Sequence, residues 1–161
     1  MPSISTAAIR VVRRFRAPPA RIFDAWLDAR IARHWLFATA WRPAEAIDVD
    51  ARVGGRLRIV ERCLDDARVE HHGEILQCTP PRRLAFSLSI EGHPALASRV
   101  VVDLAPDAAG STLALAHCGV PRTARTRIRT RWIGMLYGLA TLLAEERRVE
   151  HDGAVPLRRV A

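Results

Sequence analysis

Apolar and charged positions alternate at the start of the chain. Between Ala7 and Arg16, Ile9, Val11 and Phe15 fall on one side, and Arg10, Arg14 and Arg16 on the other. A period of two is that of a half-buried strand. Pro18-Pro19 ends it, and Pro19 fits the first turn of a helix. Ile22, Phe23, Trp26 and Leu27 recur at helical spacing, which predicts an amphipathic helix over Pro19 to Leu27. Asp28 can cap a second short helix carrying Ile31 and Trp35. Trp35-Leu36-Phe37 and Trp41 follow in a loop. From Ala44 onward short strands alternate with turn signals. The strands are 46–51, 56–62, 69–78, 84–90, 98–104 and 112–118, and Gly, Asp or Pro pairs and a loop over 107–110 separate them. Past Gly119-Val120-Pro121 a long helix runs from about Thr123 to Arg147. Ile128, Trp132, Met135, Leu136, Leu139, Leu142 and Leu143 make one apolar stripe along it, the strongest periodic signal in the chain. Residues 148–161 read as a loosely attached tail.

One strand, two short helices, six strands and a long helix predict an α+β domain spanning residues 1–161, with its core over about 8–147. Close-set strands make a meandering antiparallel sheet, and a sheet with one apolar face must bury it. The last helix has the length and the stripe to lie across that face. A sheet curled around the helix leaves a space that is either filled by side chains or kept as a pocket.

Composition adds mostly exclusions. The net charge is +8, but all 25 basic residues are Arg, with neither Lys nor Asn. They are scattered along the chain, and aromatics are too few for a stacking platform, so nucleic acid is not expected as a partner. The longest nearly apolar run, Gly134 to Ala144, falls short of the roughly 18 residues a membrane span needs. No apolar stretch precedes the Arg-rich first strand, so no secretory leader is expected. The odd set Cys63, Cys78 and Cys118, without CxxC, fits a reducing, cytoplasmic setting. The histidines lack HxxxH or HExxH spacing, so no metal is expected. GxSxG, GxGxxG and phosphate-loop motifs are missing, so no cofactor is expected.

A few residues carry candidate chemistry. His117 shares its strand face with Leu113 and Leu115, so it points inward, as a polar group of a pocket wall, a general base or a hydrogen-bonded core residue. Glu61 lies on the Leu57 and Ile59 face. Buried alone, its carboxyl would be raised into an acid; at a strand end or beside an Arg it would be an ordinary carboxylate. His71, on the face of Val69, Gly73 and Ile75, has the same two readings. Arg125 falls within the helix stripe, where it could anchor a carboxylate or phosphate or reach back to water. Trp35, Phe37, Trp41, Phe86, Trp132 and Leu136 are the apolar residues expected around any pocket, with core packing as their other role.

The order of several segments resembles a known superfamily. They are Val11–Phe15 with Ala17-Pro18-Pro19-Ala20-Arg21-Ile22-Phe23-Asp24-Ala25-Trp26; the Trp35 region; Val53-Gly54-Gly55-Arg56; Gly73-Glu74-Ile75-Leu76 with Pro80-Pro81-Arg82-Arg83-Leu84; Gly110-Ser111-Thr112-Leu113 to His117; and Trp132 on the last helix. Over residues 8 to 147 the chain resembles the SRPBCC, or START-like, superfamily. It looks most like bacterial relatives of the C-terminal domain of the heat-shock ATPase activator. The resemblance implies a helix-grip fold, as in the birch-pollen allergen: seven antiparallel strands curled around a long C-terminal helix over a hydrophobic cavity. It implies an apolar or amphipathic, lipid- or polyketide-like ligand. An aromatase/cyclase-type enzyme using His117, Glu61 or His71, and a chaperone-associated protein-binding module, remain the alternatives. A second copy of the chain and a heat-shock ATPase stay open as partners. Relatives often read His-Glu-Gly where this chain has His117-Cys118-Gly119, so an acid/base role for that Glu is lost.

Overall fold

The computed structural model describes residues 7–39 and 41–153. In chain order the elements are β1 (Ile9–Phe15), α1 (Pro19–Leu27), α2 (Ala29–Ala32), β2 (Ala46–Val49), β3 (Arg56–Arg62), β4 (Arg68–Thr79), β5 (Arg83–Ile90), β6 (His93–Asp107), β7 (Gly110–Cys118) and α3 (Arg125–Gly153), with a 3-10 turn at Arg122–Ala124 before α3. The seven strands make one antiparallel sheet in the order β1-β7-β6-β5-β4-β3-β2. From β2 to β7 each strand pairs with its neighbour in sequence, and β1 closes onto β7, Ile9 opposite His117 and Phe15 opposite Ser111. This is the helix-grip fold.

The period of two decides which face is buried. Leu113, Leu115 and His117 of β7, Val100, Val102 and Leu104 of β6, and Leu57 and Ile59 of β3 all face the core. α3 lays Trp132, Met135, Leu136, Leu139 and Leu143 onto them. α1 adds Ile22, Phe23, Ala25 and Trp26. Each such large apolar side chain stabilises the fold by about 1.5–3 kcal/mol when fully buried. Asp28 caps α2 as its type predicts, its carboxylate accepting from the Arg30 amide.

Curling of the sheet is visible at Gly73. A Cβ there would lie 1.9 Å from the Ser87 carbonyl oxygen on β5. The Glu74 amide donates to the Ser87 hydroxyl, and the β4–β5 register slips between Ile75 and Gln77. A slipped ladder bends the strand and sharpens its twist.

Two boundaries differ from the sequence reading. β6 begins at His93 and runs through Pro94, which reads as a breaker. The β5–β6 register is irregular opposite it, between Leu88 and Ile90, and such sites tolerate a residue that cannot donate. α3 continues to Gly153, so the stretch from Arg148 to Gly153 is helix and not tail. Glu146 and Glu150, one turn apart, both meet Arg21 of α1, at 2.6 and 3.5 Å, and tie these turns down. The remainder of the expected tail, 154–161, lies outside the described residues. Among the described residues no helix is long and apolar enough to cross a membrane.

Candidate functional site

The space between sheet and α3 is solid at one end and hollow at the other. The solid part is aromatic. Trp26 meets Trp35 edge-on, with ring centroids 4.6 Å apart, and lies 6.0 Å from Trp132 and 6.1 Å from Phe86. The Trp35 indole N–H donates to the Ala25 carbonyl at 3.0 Å. Beyond Trp132, toward the start of α3, lies a cavity of about 500 Å³. Its volume falls in the range of small-molecule sites. Four polar or charged side chains are buried among the described residues: Glu61, His71, Ser111 and His117. All but Ser111 border this cavity.

Strand register brings Glu61 and His71 together. Ile59 faces His71 across β3 and β4, and Glu61, two residues on, is its diagonal neighbour on the same face. His71 Nε2 lies 3.1 Å from Glu61 Oε2. Glu61 Oε1 accepts from the Arg131 guanidinium of α3. Burial alone would raise the Glu61 carboxyl, but the His71 N–H and the Arg131 cation outweigh it and hold the group below its ordinary value. Glu61 is therefore an ion-paired carboxylate: of its two readings the one beside an Arg holds, and the raised, acid-like carboxyl does not. Phe37 covers the group, its ring 4.3 Å from the His71 ring and 4.9 Å from the Arg131 guanidinium carbon. Phe37 takes a left-handed backbone, φ 51°, uncommon for a bulky residue. Its amide reaches Met135 Sδ at 3.1 Å.

His117 is held differently. The Trp132 indole N–H donates to its Nδ1 at 3.0 Å. An indole only donates, so Nδ1 accepts and Nε2 carries the hydrogen. Nε2 then donates to Ser98 Oγ at 2.8 Å, and Ser98 passes its own hydrogen to the Leu88 carbonyl at 3.1 Å. Burial pulls the His117 imidazole down to about 4. The ring is neutral and both nitrogens are engaged, which leaves no free base. His71 contrasts with it: its Nδ1 is buried without a partner among the described residues.

The family model described as Activator of Hsp90 ATPase homolog 1-like protein matches residues 16–144. The chain belongs to this family. Solved structures share its fold. A Rhodobacter sphaeroides protein is 25% identical with a TM-score of 0.75, over 88% of this chain and 95% of its own. A Chromobacterium violaceum protein is 27% identical with a TM-score of 0.73, over 84% and 96%. CalU16 of Micromonospora echinospora is 25% identical with a TM-score of 0.67, over 90% and 82%. Curated proteins gave no match.

The residues expected around a pocket separate into groups. Phe37, Glu61, His71, His117 and Trp132 border the cavity. Trp35, Phe86 and Leu136 are fully buried on its filled side and do not. Trp41 is 91% exposed, because its loop turns outward where Thr39 Oγ1 accepts the Trp41 and Arg42 amides. Arg125 also stays out of the lining. It is the first residue of α3, where side chains tilt toward the helix start, and its Nε reaches back to the Val120 carbonyl. Arg127 and Arg131, one turn apart, take the places beside the cavity. In the sequence they stand out as members of the cluster Arg122, Arg125, Arg127, Arg129 and Arg131 at the start of the long helix. Cys63 is at the rim, its thiol pushed up by burial and by Glu61, which disfavours a thiolate nucleophile. A groove outside the cavity, between Arg13–Ala17 and the end of α3, is rich in arginine and carries none of these groups.

Proposed function

We propose that this protein binds a small apolar or amphipathic molecule in the hollow beside Trp132. One observation supports the reading above others: three of the four buried polar or charged side chains among the described residues, Glu61, His71 and His117, gather around this hollow. A mostly apolar cleft of this size with a few polar groups converging on it is the usual form of a small-molecule site.

An enzyme of the aromatase/cyclase kind is the second reading, favoured by the contact between Glu61 and His71. Electrostatics make it the weaker one. A base that takes up a proton needs its new charge stabilised. The Glu61 carboxylate is already neutralised by Arg131, whose cation shares the Phe37 ring with His71. A chaperone-associated role would use the surface, where Trp41 and Leu64 stand 91% and 89% exposed on neighbouring turns joined by Arg42.

Thermal shift with 2-naphthoic acid tests the binding reading. A guest at a hundred times its Kd stabilises by about 2.7 kcal/mol, a shift of several degrees. Ile128→Trp, which fills the hollow from a half-buried helix position, should abolish the shift while keeping the fold. An unchanged shift in that variant would place the guest elsewhere.

A further inference from the structure

β1 is an edge strand: it pairs with β7 on one side and, among the described residues, with no strand on the other. In an antiparallel strand the amide and carbonyl of one residue point to the same side, and successive residues alternate. A Cβ on Gly110 of β7 would lie 2.5 Å from the Phe15 carbonyl oxygen, so Phe15 turns its backbone groups toward β7. Ile9, Val11 and Arg13 share that direction. Arg10, Val12, Arg14 and Arg16 therefore present theirs to the open edge. The Arg16 carbonyl bears this out, because it accepts from the Arg147 guanidinium of α3 at 2.8 Å. The Val12 and Arg14 amides and carbonyls have no hydrogen-bond partner among the described residues.

The open edge borders the groove between β1 and the last turns of α3, about 860 Å³ in volume. Five consecutive residues, Arg13 to Ala17, line it. A strand does this only along its edge, since each of its faces takes alternate residues. Phe15, Ala17, Ala140, Leu143 and Ala144 supply apolar lining. Arg13, Arg14, Arg16, Arg147 and Arg148 stand around it, and none of them is ion-paired among the described residues. The carboxylates of the lining, Glu150 and Asp152, lie at the end of α3, and Glu150 faces Arg21 at 3.5 Å. The Arg13 guanidinium is held against two rings, 5.4 Å from the centre of Tyr137 and 5.8 Å from that of Phe15. Charges along an edge strand ordinarily keep it from pairing with its own kind. Here they are of one sign, so they repel a second copy of β1 and favour a strand of the opposite sign.

We infer that this edge receives an extended acidic segment of a partner protein, which adds to the sheet as a further strand. Its backbone pairs with Val12 and Arg14, and its carboxylates meet the arginines of the groove. The inference is independent of the hollow beside Trp132.

Calorimetric titration with a capped heptapeptide alternating glutamate and valine tests it. Two control probes are the same peptide with lysine for glutamate, and the acidic peptide N-methylated at every amide, which keeps the charge and removes the donors. The wild type should bind the acidic peptide at least about tenfold more tightly than either control. Hydrogen exchange at the Val12 and Arg14 amides should slow as the acidic peptide saturates. Arg148→Glu, at an exposed position with no ion pair among the described residues, should weaken that peptide several-fold and leave the circular dichroism spectrum unchanged. Equal binding of the N-methylated peptide would overturn strand addition, because charge alone would then suffice. Failure of the acidic peptide to bind would overturn it as well. So would slow exchange of Val12 and Arg14 in the free protein, which would mean that the edge is already covered: by a second copy if the slowing depends on protein concentration, by the chain's own ends if it does not. The wild-type series decides the matter whatever Arg148→Glu does, and none of these outcomes touches the reading of the hollow.

Discussion

His117 shows what burial does to a single titratable group. Its folded imidazole sits at about 4 against an ordinary 6.5, because burial disfavours the cation. Between those values the unfolded chain binds the extra proton, so stability rises with pH across that window and is constant, for this group, above it. A tenfold change in proton affinity is worth about 1.4 kcal/mol, so acidification from pH 6.5 to 4 removes on the order of 3 kcal/mol. Urea unfolding at a series of pH values should show this slope in the wild type. His117→Gln, neutral throughout, should flatten it while costing about 1 kcal/mol at pH 7; an unchanged slope would mean another group carries it. Glu61 acts in the same direction lower on the scale. Its folded carboxyl is depressed, so its contribution is present above the ordinary carboxylate value and lost as pH falls through the folded one. The inward direction of His117 and Glu61 was legible from strand alternation. Their partners were not, because Arg131 and Trp132 come from a different element, 70 residues from Glu61 and 15 from His117, and residue spacing says nothing about which side chains meet across the core.

At the scale of elements, the sheet and the long helix hold each other by complementary faces. Leu139 is fully buried on the α3 stripe, whereas Ile133 is 40% exposed on the same helix. Leu139→Ala should cost about 2–5 kcal/mol, and Ile133→Ala should stay within about 0.5 kcal/mol, by denaturant unfolding. Comparable losses at the two positions would mean that α3 is docked differently. Gly73 tests the bend of the sheet. Ala there would drive a methyl group into the Ser87 carbonyl, a contact that only backbone movement relieves, and the cost should exceed about 2 kcal/mol. A neutral Gly73→Ala would count against the curl of β4. Period two and period 3.6 made most elements readable, most clearly where one face is apolar and the other polar, as in β1, β7 and α1. Ends were harder. The last turns of α3 lack an apolar stripe and are fixed by Arg21 on α1, a contact between residues more than a hundred positions apart.

For the whole molecule, the proposed binding rests on the division into a filled half and a hollow half. It was not legible in the sequence, because Trp35, Phe86 and Leu136 are as apolar as Phe37 and Trp132. Only the path of the chain around Trp26 makes plugs of Trp35 and Phe86. The hollow beside Trp132 is the central claim, and isotope-edited NMR during titration with 2-naphthoic acid addresses it most directly. The account predicts that the Trp132 indole N–H, the Met135 methyl and the His71 ring signals move together and saturate at one site. Shifts confined to the arginine-rich groove around Arg13 and Arg147, with the Trp132 indole signal unmoved, would contradict it.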